Sequence, residues 1–303
     1  MPKEVTFYLG RVLKFGSLND LEIVEALRQP VVIRRGRFLY TIVGYEAHRD
    51  EGGTEFHSGR LVKFRPRGEV GVVDIDEHRD RIEDIPNLLE ASSSFVFLPE
   101  FSALAYQHVW NQIERERFGG LWGELVAEKY EGVFRRCEIE PITDLRAFVR
   151  RVAALSSISR LGATVHPPNP LFGPAWQSLA SYLRTRQLDA VTIQETARDE
   201  SGIASNIIDI ARTAVDAPEG DGIADPAVLR AIGASVGDAA VLMAVDGYGK
   251  GKIEGREGEE RKVIRTYEAQ HGFKTAGDVL PAVIYERARN ILVRINDDRY
   301  LAH

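Results

Sequence analysis

Alternating apolar and polar residues mark the first hundred positions, and a helical period takes over after them. Val5–Phe15 reads as a strand, and Asn19 or Asp20 offers a cap to a short helix, Leu21–Leu27, that Pro30 ends. Val31–Ile33 and Phe38–Val43 flank Arg34-Arg35-Gly36-Arg37 as a hairpin. Glu55–Phe64, Glu69–Ile75 and Ser94–Leu98 complete a predicted sheet of roughly five or six strands.

From Ser102 to Phe134, Leu104, Val109, Trp110, Ile113, Trp122, Leu125 and Val126 fit a helical period broken at Gly119-Gly120. A β-α-β-α-β run follows. Its strands are Ile139–Ile142, Ser159–His166 and Asp189–Thr196. Its helices are one capped by Asp144, with Leu145, Phe148, Val149 and Val152 on one face, and one over Pro174–Leu188. That order predicts a ferredoxin-like or related layer of helices on a sheet. The C-terminal third reads as helices Gly202–Val215 and Pro226–Ile232, a strand Ala239–Val245, a glycine-rich stretch returning through Lys262–Tyr267, and a closing helix Leu280–Leu292. The expected class is α+β. A β-rich domain with closing helices spans 1–134, and an α+β domain carrying the glycine-rich hairpin spans 135–303.

A length of 303 residues fits about two domains. Cys137 is the one cysteine, which excludes an internal disulfide and a thiolate metal cluster and leaves a structural thiol as the simpler reading. The start MPKEVTFYLGRVLKFG is broken by charge before an export signal forms, and Ala239–Val245 is far short of the roughly 20 residues of a membrane span. A cytoplasmic protein without a membrane contact is therefore expected. The net charge of −6 argues against a generally basic surface, but it conceals an uneven distribution. Residues 131–190 hold eight Arg against five acids, a local +3, whereas 191–303 hold 14 Lys and Arg against 19 acids, a local −5.

Basic residues are thus the candidates for chemistry. Lys63, Arg65 and Arg67 alternate with Val62 and Phe64, which places the charges on one strand face, and the hairpin tip Arg34, Arg35 and Arg37 is a neighbour in that reading. Arg146 and Arg150 are four apart on a helix, and arginine forks suit phosphate. Lys250 and Lys252 sit in the glycine-rich stretch 247–258. This stretch departs from the dinucleotide fingerprint and lacks Gly-Lys-Ser/Thr, so a twisted hairpin competes there with a phosphate contact. For every basic group the plainer alternative is a solvated face.

The remaining constellations are weaker. Arg160 and His166, six apart on a strand, stand roughly 20 Å from each other, too far for concerted acid–base work. Glu124 and Glu128 are i, i+4 and read either as a metal pair or as the solvated face opposite Trp122. The seven histidines are scattered without metal-ligand spacing. No metal or other cofactor is expected.

Tyr8-Leu9-Gly10-Arg11, Gly59-Arg60-Leu61-Val62-Lys63-Phe64, Phe95-Val96-Phe97, Glu140-Pro141, Pro168-Asn169-Pro170 and Asp246-Gly247-Tyr248-Gly249 follow one another in an order that resembles uncharacterised bacterial families found among antiphage-defence and mobile-element genes. The resemblance supplies no catalytic residues. It implies a binding or sensor component of a defence system, with nucleic acid or a phage or defence protein as partner. A nuclease-type abortive-infection effector and a protein-only scaffold are the alternatives.

Overall fold

The computed structural model describes residues 4–76, 78–130, 135–167, 177–186, 188–216, 235–277 and 279–300. Among these, seven helices and twelve strands form two antiparallel sheets, so the α+β class holds.

The larger sheet grows on β1 (Glu4–Gly16), whose alternating side chains serve both of its faces. After β1 the chain enters α1 (Asp20–Arg28), where Asn19 and Glu22 form a reciprocal capping box. β2 (Ile33–Arg35) and β3 (Phe38–Arg49) make the expected hairpin. β4 (Glu55–Asp74) and β5 (Arg79–Leu98) are single strands of 20 residues each, where the sequence reads as three shorter runs. β6 (Ala103–Gln107) returns to β1, and α2 (Arg115–Glu128), β7 (Arg135–Pro141) and, much later, β12 (Gly272–Ala276) follow. The order is β12-β1-β6-β5-β4-β3-β2, with β7 beside β12 on β1. On one face α1 and α2 bury Ile23, Leu27, Phe118 and Trp122 against Tyr40, Leu61, Phe95 and Phe97. On the other, α7 (Pro281–Tyr300) lays Ile284, Tyr285, Ala288 and Leu292 over Phe7, Leu9 and Val96.

The smaller sheet has the order β11-β10-β8-β9, from β8 (Ser157–Val165), β9 (Val191–Thr196), β10 (Gly249–Glu257) and β11 (Glu260–Arg265). Its inner face packs on α6 (Val236–Val245), with α3 (Leu145–Ala153), α4 (Gln177–Thr185) and α5 (Ile207–Asp216) completing the layer. Leu13 and Phe15 of β1 join this second core.

Five expectations change. The β-α-β-α-β order is observed, but β7 pairs with β1 in the larger sheet, and β8 and β9 are antiparallel neighbours, so no ferredoxin-like unit closes. Residues 102–134 are not wholly helical, because β6 intervenes. α2 also runs unbroken through Gly119-Gly120, and Gly119 serves contact. A Cβ on Gly119 would lie 3.0 Å from Ile139 Cβ, and one on Gly123 would collide with the Cys137 carbonyl oxygen, so these glycines let α2 rest directly on β7. Ala239–Val245 is helical. The Ser235–Asp238 capping box starts α6, and a uniformly apolar run does not itself separate helix from strand. The closing helix runs on to Tyr300. The expected helix Pro226–Ile232 and turn Pro168–Pro170 lie outside the described residues.

Candidate functional site

Among the described residues the smaller sheet leaves its second face open, and the glycine-rich stretch explains how. As expected for a hairpin, β10 and β11 pair from Lys252–Arg265 to Glu257–Glu260. Gly249, Gly251 and Gly255 of β10 are buried beneath the helical layer. A Cβ on Gly251 would stand 3.2 Å from Ala244 of α6, so the glycines allow close packing and do not cradle a phosphate. The intervening Lys250, Lys252 and Glu254 point to the open side.

Across the sheet, Lys252 is in register with Gly162 of β8 and Arg265 of β11, and Gly162 is in register with Gln194 of β9. Lys250 stands beside Thr164, which pairs with Thr192, and their hydroxyls are 2.9 Å apart. Among the described residues the only atom within 4 Å of a Cβ on Gly162 would be Ile193 O at 3.4 Å, so this position forms the floor of a hollow. The hollow has a volume of ≈ 420 Å³ and is walled by Arg160, Lys250, Lys252, Arg265, Gln194 and Tyr267.

Each lysine and Arg265 has a carboxylate partner. Lys252 Nζ is 2.5 Å from Glu254, and this bond holds the Glu254 carboxyl below its ordinary range. Arg265 and Arg151 donate to the two oxygens of Glu268 at 2.7 and 2.9 Å. Burial alone would raise the Glu268 pKa, but the two arginines outweigh it and lower it. Lys250 lies 3.2 Å from Glu140 of β7, a pair that ties the two sheets together. Through Arg151 the basic band turns the β11 edge into a second hollow of ≈ 440 Å³, lined by Arg150, Arg151 and Lys262.

Glu140 is 4% exposed, and its Oε2 has no hydrogen-bond partner among the described residues. Burial pushes its carboxyl above the ordinary 4.5, opposed by Lys250. A carboxyl raised in the fold makes stability fall as pH climbs from the unfolded value to the raised one. Glu140→Gln removes that loss. Thermal melts from acidic to neutral pH should therefore show the variant gaining on wild type as pH rises, and a constant difference would contradict the assignment.

Of the residues singled out by sequence, Lys250 and Lys252 meet here, joined by Arg160 and Arg265. Arg150 and Arg146 lie on exposed positions of α3, and Arg150 lines the second hollow. Lys63, Arg65, Arg67, Arg34, Arg35 and Arg37 belong to the other sheet. Lys63 is no solvated charge. It is 6% exposed, stands 3.9 Å above the Phe38 ring, donates to Gln112 at 2.8 Å and has its pKa lowered by burial. Its alternation with Arg65 is legible in the sequence, but the face so defined is closed at Lys63 by Phe38 and Gln112. Arg35 is paired with Glu124 and Arg65 with Glu90, whereas Arg34, Arg37 and Arg67 are exposed.

The lesser constellations separate. Arg160 points into the open hollow, while His166 is buried and bonds Asp189 O through Nδ1 at 2.9 Å. Cys137 is buried with its thiol pKa pushed up by burial, as suits a structural residue. Among the described residues, no three His, Cys, Asp or Glu side chains come together as a metal site, and no helix is long and apolar enough to cross a membrane. Sequence reading missed Arg265 and the floor at Gly162. Arg265 lies in a recognised return strand, but only the register sets it beside Lys252.

No curated protein matches the chain. The family model of DUF4747, a domain of unknown function, matches residues 21–222. That span covers β2 to β9 and with them the Gly162 floor, although β10 and β11 lie beyond it. The chain belongs to the DUF4747 family.

Proposed function

We propose that the chain is a binding module that holds a single nucleic-acid strand across the open face of its smaller sheet. The observation that carries this reading is the convergence of Arg160, Lys250, Lys252 and Arg265 around the hollow floored by Gly162. The carboxylates now paired with Lys252 and Arg265 do not oppose it. Exposed ion pairs contribute little, so a phosphate can replace Glu254 or Glu268 at small cost. Tyr267, 39% exposed at the rim, offers a ring for a base to stack on. The band running past Arg265 to Arg151 and Arg150 favours a polymer over a lone phosphate.

The test is fluorescence anisotropy with labelled oligouridine and oligothymidine. Binding should weaken between about 50 and 200 mM salt with a slope near −0.7 per phosphate contact. Lys252→Ala/Arg265→Ala should reduce that slope by about 1.4. No retention of either polymer at the lower salt would end the reading. The defence setting implied by the sequence resemblance adds a cellular expectation, namely that protection against phage, where the chain confers it, is lost in the same double variant.

A further inference from the structure

β4 and β5 outrun the sheet that holds them. β3 covers β4 only as far as Phe64, and β6 covers β5 only from Phe95 to Leu98. Residues 65–74 and 79–90 therefore form a two-stranded arm about 30 Å long. The register places Arg65, Arg67, Glu69, Gly71 and Val73 on one face with Leu88, Pro86, Asp84, Ile82 and Asp80.

That face is polarised from root to tip. Arg65 and Arg67 stand at the root, and the pairings Arg35–Phe38 and Leu39–Phe64 bring the turn with Arg34, Arg35 and Arg37 alongside. Beyond the root, the same face carries the acids Glu69, Asp84 and Asp80, whereas Arg79 and Arg81 fall on the opposite face. Glu69 and Asp84 lie directly opposite each other, with no cation at ion-pair distance among the described residues, although like charges so placed repel. Beyond them Ile82 and Val73 are 72% and 70% exposed. A lone two-stranded ribbon is marginal in water, and this one leaves both apolar side chains and unbalanced carboxylates uncovered.

We propose that this face packs antiparallel on the same face of a second copy, about a twofold axis crossing between Arg67 and Glu69. Each root then meets the other copy's acidic half. Arg67 stands over the partner's Glu69 and the partner's Asp84, Ile82 is shielded, and the partner's Asp80 approaches the basic root. Such a contact is isologous and self-limiting, so it forms a dimer and no filament. Nucleic acid is a poor occupant, because the distal half would repel it. The proposal is independent of the binding reading above, which rests on the other sheet.

Sedimentation of the full chain tests it. Wild type should pass from monomer to dimer between about 1 and 100 μM, the regime of a small interface, and high salt should favour the monomer. Arg65→Glu/Arg67→Glu and Glu69→Arg/Asp84→Arg should each be monomeric alone, with unchanged circular dichroism, and should dimerise when mixed, since each root then faces a tip of opposite charge. A wild type that stays monomeric throughout overturns the proposal without reference to any variant. A dimer that persists in both variants, or a mixture that stays monomeric, overturns it as well.

Discussion

Alanine at position 249 is expected to part β10 from β8 and to empty the candidate site of both its lysines. Gly249 has φ +151°, a conformation that L side chains rarely adopt. A Cβ there would collide with the Thr164 carbonyl oxygen and lie 2.9 Å from Val165 Cα, both backbone atoms of the adjoining strand. Neither atom can swing aside as the end of a flexible side chain would. The strained conformation costs about 1–3 kcal/mol and the forced separation about 1–3 kcal/mol more, against a total stability of roughly 5–15 kcal/mol. Relief requires β10 to move outward, which draws Lys250 from Glu140 and breaks the Lys252–Gly162 register. Denaturant unfolding should show the loss, and oligonucleotide binding should fall in step with it. The control is Gly258→Ala at the hairpin tip, where φ is +60° but a Cβ would meet nothing within 4 Å. It should cost about 1 kcal/mol, the backbone component alone. Equal losses at the two positions would mean that close approach to β8 is not what requires glycine at 249.

Features written into short stretches of chain were legible. The cap residues Asn19 and Asp144, the β2–β3 hairpin and the glycine-rich hairpin of β10 all depend on neighbours a few positions away. What escaped were relations between distant segments. The strand around Ile139 alternates in a way that suits either sheet, and only its partner β1, more than a hundred residues earlier, decides which. Gly119 and Gly123 carry the composition of a break but act as a contact surface, because the atoms that demand glycine belong to β7. The same holds for the site. Lys250 and Lys252 could be named from their own strand, whereas Arg265 became part of the group through the β10–β11 register and Arg160 through the β8–β10 register. The arginines near residues 34 and 65 are neighbours through the β2–β3–β4 pairing, and beyond them the 20-residue strands β4 and β5 run on as an arm.

Trp122→Ala should produce the other large loss, centred on the larger sheet. Trp122 is 0% exposed and fills the space between α2 and the strands, with ring centroids 6.2 Å from Phe95 and 6.1 Å from Phe97. Removing an enclosed indole costs about 3–5 kcal/mol, the upper end applying where the surroundings cannot collapse. Collapse is hindered here because α2 already touches β7 through Gly119 and Gly123 and has no slack toward it. Trp122→Phe should behave differently. The indole Nε1–H has no hydrogen-bond partner among the described residues, so phenylalanine removes an unpaired buried donor while keeping most of the ring contacts. Its net cost should stay near 1 kcal/mol, within the range of near-isosteric core changes. Chemical unfolding of the two variants separates the contributions. A phenylalanine variant as unstable as the alanine one would show that the indole N–H is satisfied in solution and that its bond, rather than ring volume, holds α2 on the sheet.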